Sequence, residues 1–281
     1  MDRPALQRRI DELADVEDGV RLIHLQQVHE LAAANDCSIR DVELAALEAG
    51  VLPRRYMRSL GTVGLEGQAR LLRATVAVVG LGGLGGYVVE ALARMGVGRL
   101  ILIDGDVFED HNLNRQVLSG EANLGMDKVR ASRHRVAGIN SAVEVVGHVV
   151  ALTRENLPRL LGGADVVVDG LDRLPIRLVL QEGAQALGIP MVHGSIAGFL
   201  GQVMTIFPGD LGLRSLYGEG GDLPEQGLEA QLGCPAATPM AVAAWEAQEV
   251  VKILLGHGEL LRRRLLVMDM ETGTVEVLQL G

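Results

Sequence analysis

The sequence predicts an α/β protein, a mainly parallel sheet with helices on both faces and a small helical extension at its N-terminus. Three observations carry that expectation. From Thr75 onward, short apolar runs rich in β-branched residues alternate with helical patterns, the rhythm of parallel strands joined by crossover helices. Gly80, Gly82 and Gly85 form G-x-G-x-x-G directly after the first of these strands, and Asp104 closes the next one, a Rossmann-like arrangement. Residues 1–52 carry helical periodicity and stand apart from this pattern. With 281 residues, 48% of them apolar, the chain can bury a substantial core, and a disordered class is excluded.

The elements follow in order. A first helix starts at Asp2, with Pro4 just inside it and Leu6, Ile10 and Leu13 on one stripe. Leu22 to Ala34 gives a second. Ser38 caps a third that runs to Ala49 and stops at Gly50, with Pro53 beyond. Three short helices are reminiscent of a DNA-binding helix-turn-helix, but residues 1–52 hold 5 Arg against 11 Asp and Glu, which disfavours phosphate contact. Packing or partner docking is the expectation for this segment. Strands are predicted at Thr75–Gly80, Arg99–Asp104, Val143–Val149, Val166–Asp169 and Pro190–His193, separated by helices that include Tyr87–Met95, Lys128–Asn140 and Pro175–Leu187. Gln202–Phe207, Arg264–Asp269 and Thr274–Leu280 read as later strands, and Pro208–Leu232 as a long mobile loop.

Charge and cysteine content narrow the function. A net charge of -10, from 26 Lys and Arg against 36 Asp and Glu, argues against a nucleic-acid footprint and favours small anions in a local pocket, or another protein, as partners. Cys37 and Cys234 are the only cysteines, so neither a four-cysteine zinc site nor a disulfide framework is expected. A reducing cytoplasm fits best. Met1 to Asp18 is charged throughout, unlike a signal peptide. The 24 residues from Ala186 to Gly209 lack Asp, Glu, Lys and Arg, but their glycines, prolines, His193 and Gln202 fit two buried strands and a loop better than a membrane span.

The chemistry-bearing residues cluster after the first strand. In the glycine loop, Gly80, Gly82, Gly83 and Gly85 let backbone N–H groups approach a phosphate at a helix N-terminus, and Asp104 can accept ribose hydroxyls. That signal says nucleotide without saying which; a nicotinamide dehydrogenase would show it equally. The next block is more specific. Ile103-Asp104-Gly105-Asp106 continues to Asn112-Leu113-Asn114-Arg115-Gln116 and then Gly125-Met126-Asp127-Lys128. Two amides, an arginine and a lysine thus fall on the carboxyl side of the second strand, where ligands bind in open α/β sheets. A triphosphate would use them: Arg offers a planar fork and Lys a compact charge. Lys128 and Lys252 are the only lysines among 26 basic residues, which favours a functional reading of Lys128; Lys252, three residues after Glu249 on a helix, reads as a solvated pair.

These pieces together resemble the HesA/MoeB/ThiF family, relatives of ubiquitin-activating enzymes. The resemblance runs from about Arg55 to Gly281 and includes Arg55-Tyr56-Met57-Arg58, the glycine loop, the Asn-Leu-Asn-Arg-Gln block, Lys128, Asp169-Gly170-Leu171-Asp172 and Glu249-Val250-Val251-Lys252. Beside the helical extension at 1–52, it implies an adenylating domain at 53–281, with a nucleotide-binding half about 75–195 and a carrier-binding half about 196–281. The implied activity is ATP-dependent adenylation of the C-terminal Gly-Gly carboxylate of a ubiquitin-like sulfur carrier protein. Gly83 and its neighbours would bind ATP, Asp104 the ribose, with Asp106 beside it. Asn112, Asn114, Arg115 and Lys128 would hold the triphosphate, and Asp172 would hold Mg2+. Arg58 would reach into the site of a partner subunit in a homodimer. A helix cap before Pro175 is the alternative reading of Asp172.

The sequence also departs from the family. Where many relatives carry the first of two zinc-binding Cys-x-x-Cys pairs, it reads Leu213-Arg214-Ser215-Leu216, so no zinc is expected. Arg173 follows Asp172 where an asparagine is common. Cys234 reads as a small buried residue rather than a nucleophile, His193 as a core or pocket-edge residue rather than a base, and Arg262 to Arg264 as a solvated lead-in to a strand. No sulfurtransferase domain is expected beyond Gly281. Alternatives are activation of another carboxylate or a tRNA-linked group, against which the acidic balance speaks, and a non-catalytic nucleotide-binding scaffold.

Overall fold

A computed structural model describes residues 3–218 and 227–280. The chain opens with α1 (Arg3–Leu13), a hairpin of β1 (Asp15–Glu17) and β2 (Val20–Ile23), then α2 (Leu25–Ala34), α3 (Ile39–Glu48) and the two-residue β3 (Leu52–Pro53). The predicted start of α1 at Asp2 lies outside the described residues. Ser38 caps α3 as expected: its hydroxyl accepts from the Asp41 N–H and the Asp41 carboxylate accepts from the Ser38 N–H. The second helix begins three residues later than predicted. Leu22 and Ile23 instead pair in parallel with Leu52 and Pro53, so two apolar residues that fit a helical stripe serve a short strand.

A 3-10 helix (Arg54–Ser59) and α4 (Leu60–Arg73) lead into the main domain. There β4 (Thr75–Val79), α5 (Gly83–Met95), β5 (Arg99–Asp104), α6 (Lys128–Ile139), β6 (Glu144–Val149), α7 (Leu157–Leu161), β7 (Val166–Asp169), α8 (Leu174–Ala186), β8 (Met191–Ala197) and β9 (Leu200–Ile206) follow. Short α9 (Arg214–Tyr217) and α10 (Glu229–Leu232), long α11 (Ala237–Leu255), β10 (Arg264–Asp269) and β11 (Thr274–Gln279) complete the order. The eight strands form one sheet in the order β11-β10-β9-β8-β7-β4-β5-β6. Strands β8, β7, β4, β5 and β6 are mutually parallel, whereas β9, β10 and β11 add on antiparallel. Part of the expected 208–232 loop is helical, in α9 and α10; residues 219–226 lie outside the described residues.

Alternation along the strands builds two cores. Val76, Val78, Val166, Val168 and Val192 face α5 and α11, with Leu92, Val242 and Val250 packed on them. Ala77, Val79, Val167 and Met191 face α7 and α8, against Leu157, Leu160 and Leu180. Strands covered on both faces read as continuous apolar runs, as here. The order also fixes where a ligand can sit. From β4 the chain moves to β5 and β6 on one side, then crosses to β7 and β8 on the other, leaving a crevice above the C-terminal end of β4.

Two side-chain readings are corrected. The Glu249–Lys252 pair is not solvated: Glu249 is fully buried and accepts from the Thr205 hydroxyl and the Leu261 N–H at 2.6 and 2.8 Å. Lys252 supplies its countercharge. Arg262 and Arg263 both pair with Asp210, at 2.8 and 3.1 Å, so the lead-in to β10 is tied to the end of β9 rather than merely hydrated.

Candidate nucleotide site

A cleft of about 920 Å³ opens at the crevice. Its floor is the glycine loop. Gly80 has φ +86°, and a Cβ on Gly85 would fall 1.8 Å from the Gly80 carbonyl oxygen; one on Gly170 would fall 2.4 Å from the same atom. Gly80 and Gly85 are therefore glycines so that the β4–α5 turn can pack on itself and on the end of β7. Gly82 and Gly83 are different: a Cβ there would meet its nearest neighbours at 3.6 and 3.5 Å, and both line the cleft at the N-terminus of α5. That end of a helix presents unpaired N–H groups and a partial positive charge.

On one side of the floor, β5 ends in Asp104. Its Oδ2 accepts from the Leu81 N–H at 2.7 Å and its Oδ1 from the Asp106 N–H at 2.8 Å, which ties β5 to the glycine loop. Burial pushes its carboxyl above the usual carboxylate range, against the pull of the Lys128 ammonium and the two N–H donors. Lys128, the first residue of α6, has a buried stem, and its Nζ sits 2.9 Å from Asp106 and 4.0 Å from Asp104. Arg115 donates to the His111 carbonyl at 2.8 Å and to Asn114 Oδ1 at 2.9 Å. Across the cleft, β7 leads to Asp172, which is exposed and lines the wall. Arg173, not Asp172, occupies the cap position of α8, so capping does not explain the aspartate.

Gly80, Gly82, Gly83, Asp104, Asp106, Arg115, Lys128 and Asp172 thus share one cleft. Asn112 does not line it; it is buried and its Oδ1 caps the Glu109 N–H. Asn114 bridges outward to the Cys234 carbonyl at 3.2 Å. Arg58 is exposed on the 3-10 helix and lies outside the cleft of its own chain. Cys234 lines the cleft half-buried; burial pushes its thiol up, with Arg115 working against that.

The sequence did not single out Gln116, Arg177 or His193 for the site. Gln116 is buried against the cleft, and its Oε1 has no hydrogen-bond partner among the described residues. Its place in the Asn-Leu-Asn-Arg-Gln block was the available signal. Arg177 lines the cleft from α8. His193 lies fully buried behind the β7 end, where it bonds Asp169 at 2.7 Å. Burial pushes its imidazole below the ordinary range, against the pull of Asp169. A smaller cavity of about 270 Å³ beside Asp210 and Arg263 holds none of the predicted residues.

A mainly parallel sheet with a glycine-floored cleft at its switch point, with Asp104, Asp106, Arg115 and Lys128 on one side and Asp172 and Arg177 on the other, defines a nucleotide-binding α/β protein. The comparisons place it further. The ThiF family profile matches residues 54–281, and the chain belongs to that family. It is 39% identical to the SAMP-activating enzyme E1 of Haloferax volcanii over 227 residues, 79% of this chain and 83% of that protein. It is 38% identical to the sulfur carrier protein adenylyltransferase of Thermus thermophilus over 228 residues, 76% of this chain and 82% of that one. Among solved structures, Escherichia coli MccB with ATP superposes with a TM-score of 0.70 at 22% identity, covering 72% of MccB and 81% of this chain, a likeness of fold.

Proposed function

We propose that the protein is an ATP-dependent adenylyltransferase that activates the C-terminal carboxylate of a ubiquitin-like sulfur carrier protein. The observation that carries the reading is the convergence of Arg115 and Lys128 from one side and Asp172 from the other on the open N-terminus of α5. The family and the printed names of its relatives support the same reaction class.

The carrier carboxylate attacks the α-phosphorus of ATP; a C–O–P bond forms, the bond to the β-phosphate oxygen breaks, and pyrophosphate leaves with the electron pair. A carboxylate is already ionised at neutral pH, so no protein base is required. Arg115 and Lys128 neutralise the growing charge, and the N–H groups at Gly82 and Gly83 bind a phosphate. Lys128 is paired with Asp106, and its compact charge is suited to phosphate oxygens. Gln116 Oε1, buried and unpartnered, offers an acceptor to a nucleotide donor.

Mg2+ fits this donor set. It binds through one or two carboxylates together with substrate phosphates, and Asp172 supplies one carboxylate at the phosphate side of the cleft. Bound there, the ion would draw charge from the phosphate oxygens. We assign the nucleotide to residues about 75–195 and the carrier to 196–281, and the exposed Arg58 to the site of the other subunit in a homodimer. The test is ATP–pyrophosphate exchange with a cognate carrier. Alanine at Arg115, Lys128 or Asp172 should each slow it by about 10^2 to 10^3-fold; near-normal exchange in Lys128→Ala would remove that residue from the mechanism.

A further inference from the structure

The end of β7 holds a buried polar group that the proposed reaction does not use directly. Asp169 and His193 are both fully buried, and they face each other because β7 and β8 pair in the register Asp169↔His193. His193 Nδ1 lies 2.7 Å from Asp169 Oδ2, while Asp169 Oδ1 accepts from the Leu171 N–H at 3.1 Å. Arg177, in the first turn of α8, is buried and donates from Nε to the Leu171 carbonyl at 3.1 Å and from Nη2 to the same oxygen. Its guanidinium stands 3.7 Å from Asp169 Oδ2.

Both backbone polar groups of Leu171 are therefore held by buried side chains. The preceding residue is fixed as well: the Gly170 N–H bonds the Val79 carbonyl at 2.8 Å, and its Cα is pressed against Gly80. Asp172 is the next residue, and its side chain faces the cleft. Burying an acid, an imidazole and a guanidinium is expensive compared with packing apolar groups of the same volume. Here Asp169 and Arg177 both bond Leu171, with His193 behind Asp169, and a site of this kind tolerates misplacement of only about 0.5 Å.

We propose that Asp169, His193 and Arg177 are positioning residues that fix the 170–172 loop and aim the Asp172 carboxylate at the cation-bearing phosphates of ATP. This rests on the nucleotide reading above. Asp169 and Arg177 bond the Leu171 backbone and His193 bonds Asp169, so the group acts through Leu171, as partners behind a ligand commonly do.

The experiment uses the full chain with Arg177→Lys, which cannot supply the same fork, His193→Leu, and His193→Asn, which keeps a short N–H donor. Asp172→Asn is the reference. Amide hydrogen exchange is measured without ligand, and ATP affinity by calorimetry with and without Mg2+. In Arg177→Lys and His193→Leu, the Leu171 amide should exchange about tenfold faster or more, with Val78 and Val167 unchanged. In His193→Leu, a change at a residue that does not line the cleft, ATP affinity without Mg2+ should stay within about twofold, while in both variants the gain conferred by Mg2+ falls by about 10 to 100-fold, as in Asp172→Asn. His193→Asn should recover part of both effects. Unchanged Leu171 exchange, a retained Mg2+ gain, or faster exchange across the whole sheet would overturn the proposal. Wild-type protein that binds no ATP would instead overturn the nucleotide reading, before any substitution is considered.

Discussion

Glu246 provides a sharp test of how the interior is built. It lies on α11, fully buried, with both carboxyl oxygens lacking hydrogen-bond partners among the described residues. The carboxyl packs directly on the β8 backbone: a Cβ on Gly194 would fall 2.5 Å from Glu246 Cδ. Burial first, and the Asp169 carboxylate second, raise its pKa well above 4.5, with Arg177 opposing. The sign follows from linkage. Because the folded-state value is raised, the unfolded chain gives up this proton first, so the stability present below the unfolded pKa is lost as pH rises through the folded one. Between pH 5 and 6 one such proton changes stability by about 1.4 kcal/mol per pH unit at most. Glu246→Gln keeps the shape and cannot titrate. Urea unfolding at a series of pH values should therefore show the variant gaining on the wild type as pH rises above 5, by no more than about 1.4 kcal/mol per pH unit. Glu246→Met, which also removes the unpaired oxygens, should be more stable at pH 7 by about 1–3 kcal/mol. A difference between Glu246→Gln and wild type that stays constant from pH 5 to 6 would mean that the carboxyl is hydrated or already ionised, and the reasoning would fail.

Three further outcomes are expected. Cys234→Ala should retain both pyrophosphate exchange and downstream sulfur transfer; a covalent carrier adduct, seen by mass spectrometry and lost in this variant, would make Cys234 a nucleophile. Purified protein should contain no stoichiometric zinc while needing Mg2+ for turnover, and elemental analysis finding one zinc per chain would contradict this. Arg58→Ala and Asp172→Ala should each be nearly inactive, yet after verified subunit exchange their mixture should regain roughly a quarter of wild-type activity, because about half of the dimers then carry one sound site. A mixture that stays dead, or a monomeric protein, rules out a shared site.

What the sequence reveals about this fold tracks how local the signal is. The strands of the main sheet and the glycine loop are legible because their periodicity and spacing lie within a few residues. The short pairing of β2 with β3 is not, since Leu22 and Ile23 fit a helical stripe equally well and only Leu52, about thirty residues on, decides the matter. Within the Asn112–Gln116 block the letters cannot be ranked. Asn112 is a buried cap, Asn114 a bridge, Arg115 a cleft residue and Gln116 a buried one with a free acceptor, and a turn between 109 and 116 makes the difference. His193 and Arg177 were invisible as parts of the site because their roles depend on the β7–β8 register and on the first turn of α8 meeting the end of β7.

The N-terminal extension shows the same dependence on long-range contact. Its pattern changes near residue 52, yet the packing does not. Leu22 and Leu47 share one apolar cluster with Tyr56, Leu72 and Ala142. At its centre the Tyr56 hydroxyl donates to Glu43 and accepts from Asn140, both at 3.0 Å, and Arg55 pairs with Glu43 at 3.2 Å. Burial raises the Glu43 carboxyl above its ordinary range while Arg55 and Tyr56 hold it down, so removing α3 would take the carboxylate partner from the Arg55 guanidinium and the acceptor from the buried Tyr56 hydroxyl. Gly96 completes the fit, because a Cβ there would fall 2.6 Å from the Tyr56 ring. Arg58 lies two residues beyond Tyr56 on the same 3-10 helix. The extension and the main domain therefore grip the segment that carries Arg58 from opposite sides, leaving its backbone fixed and its side chain exposed.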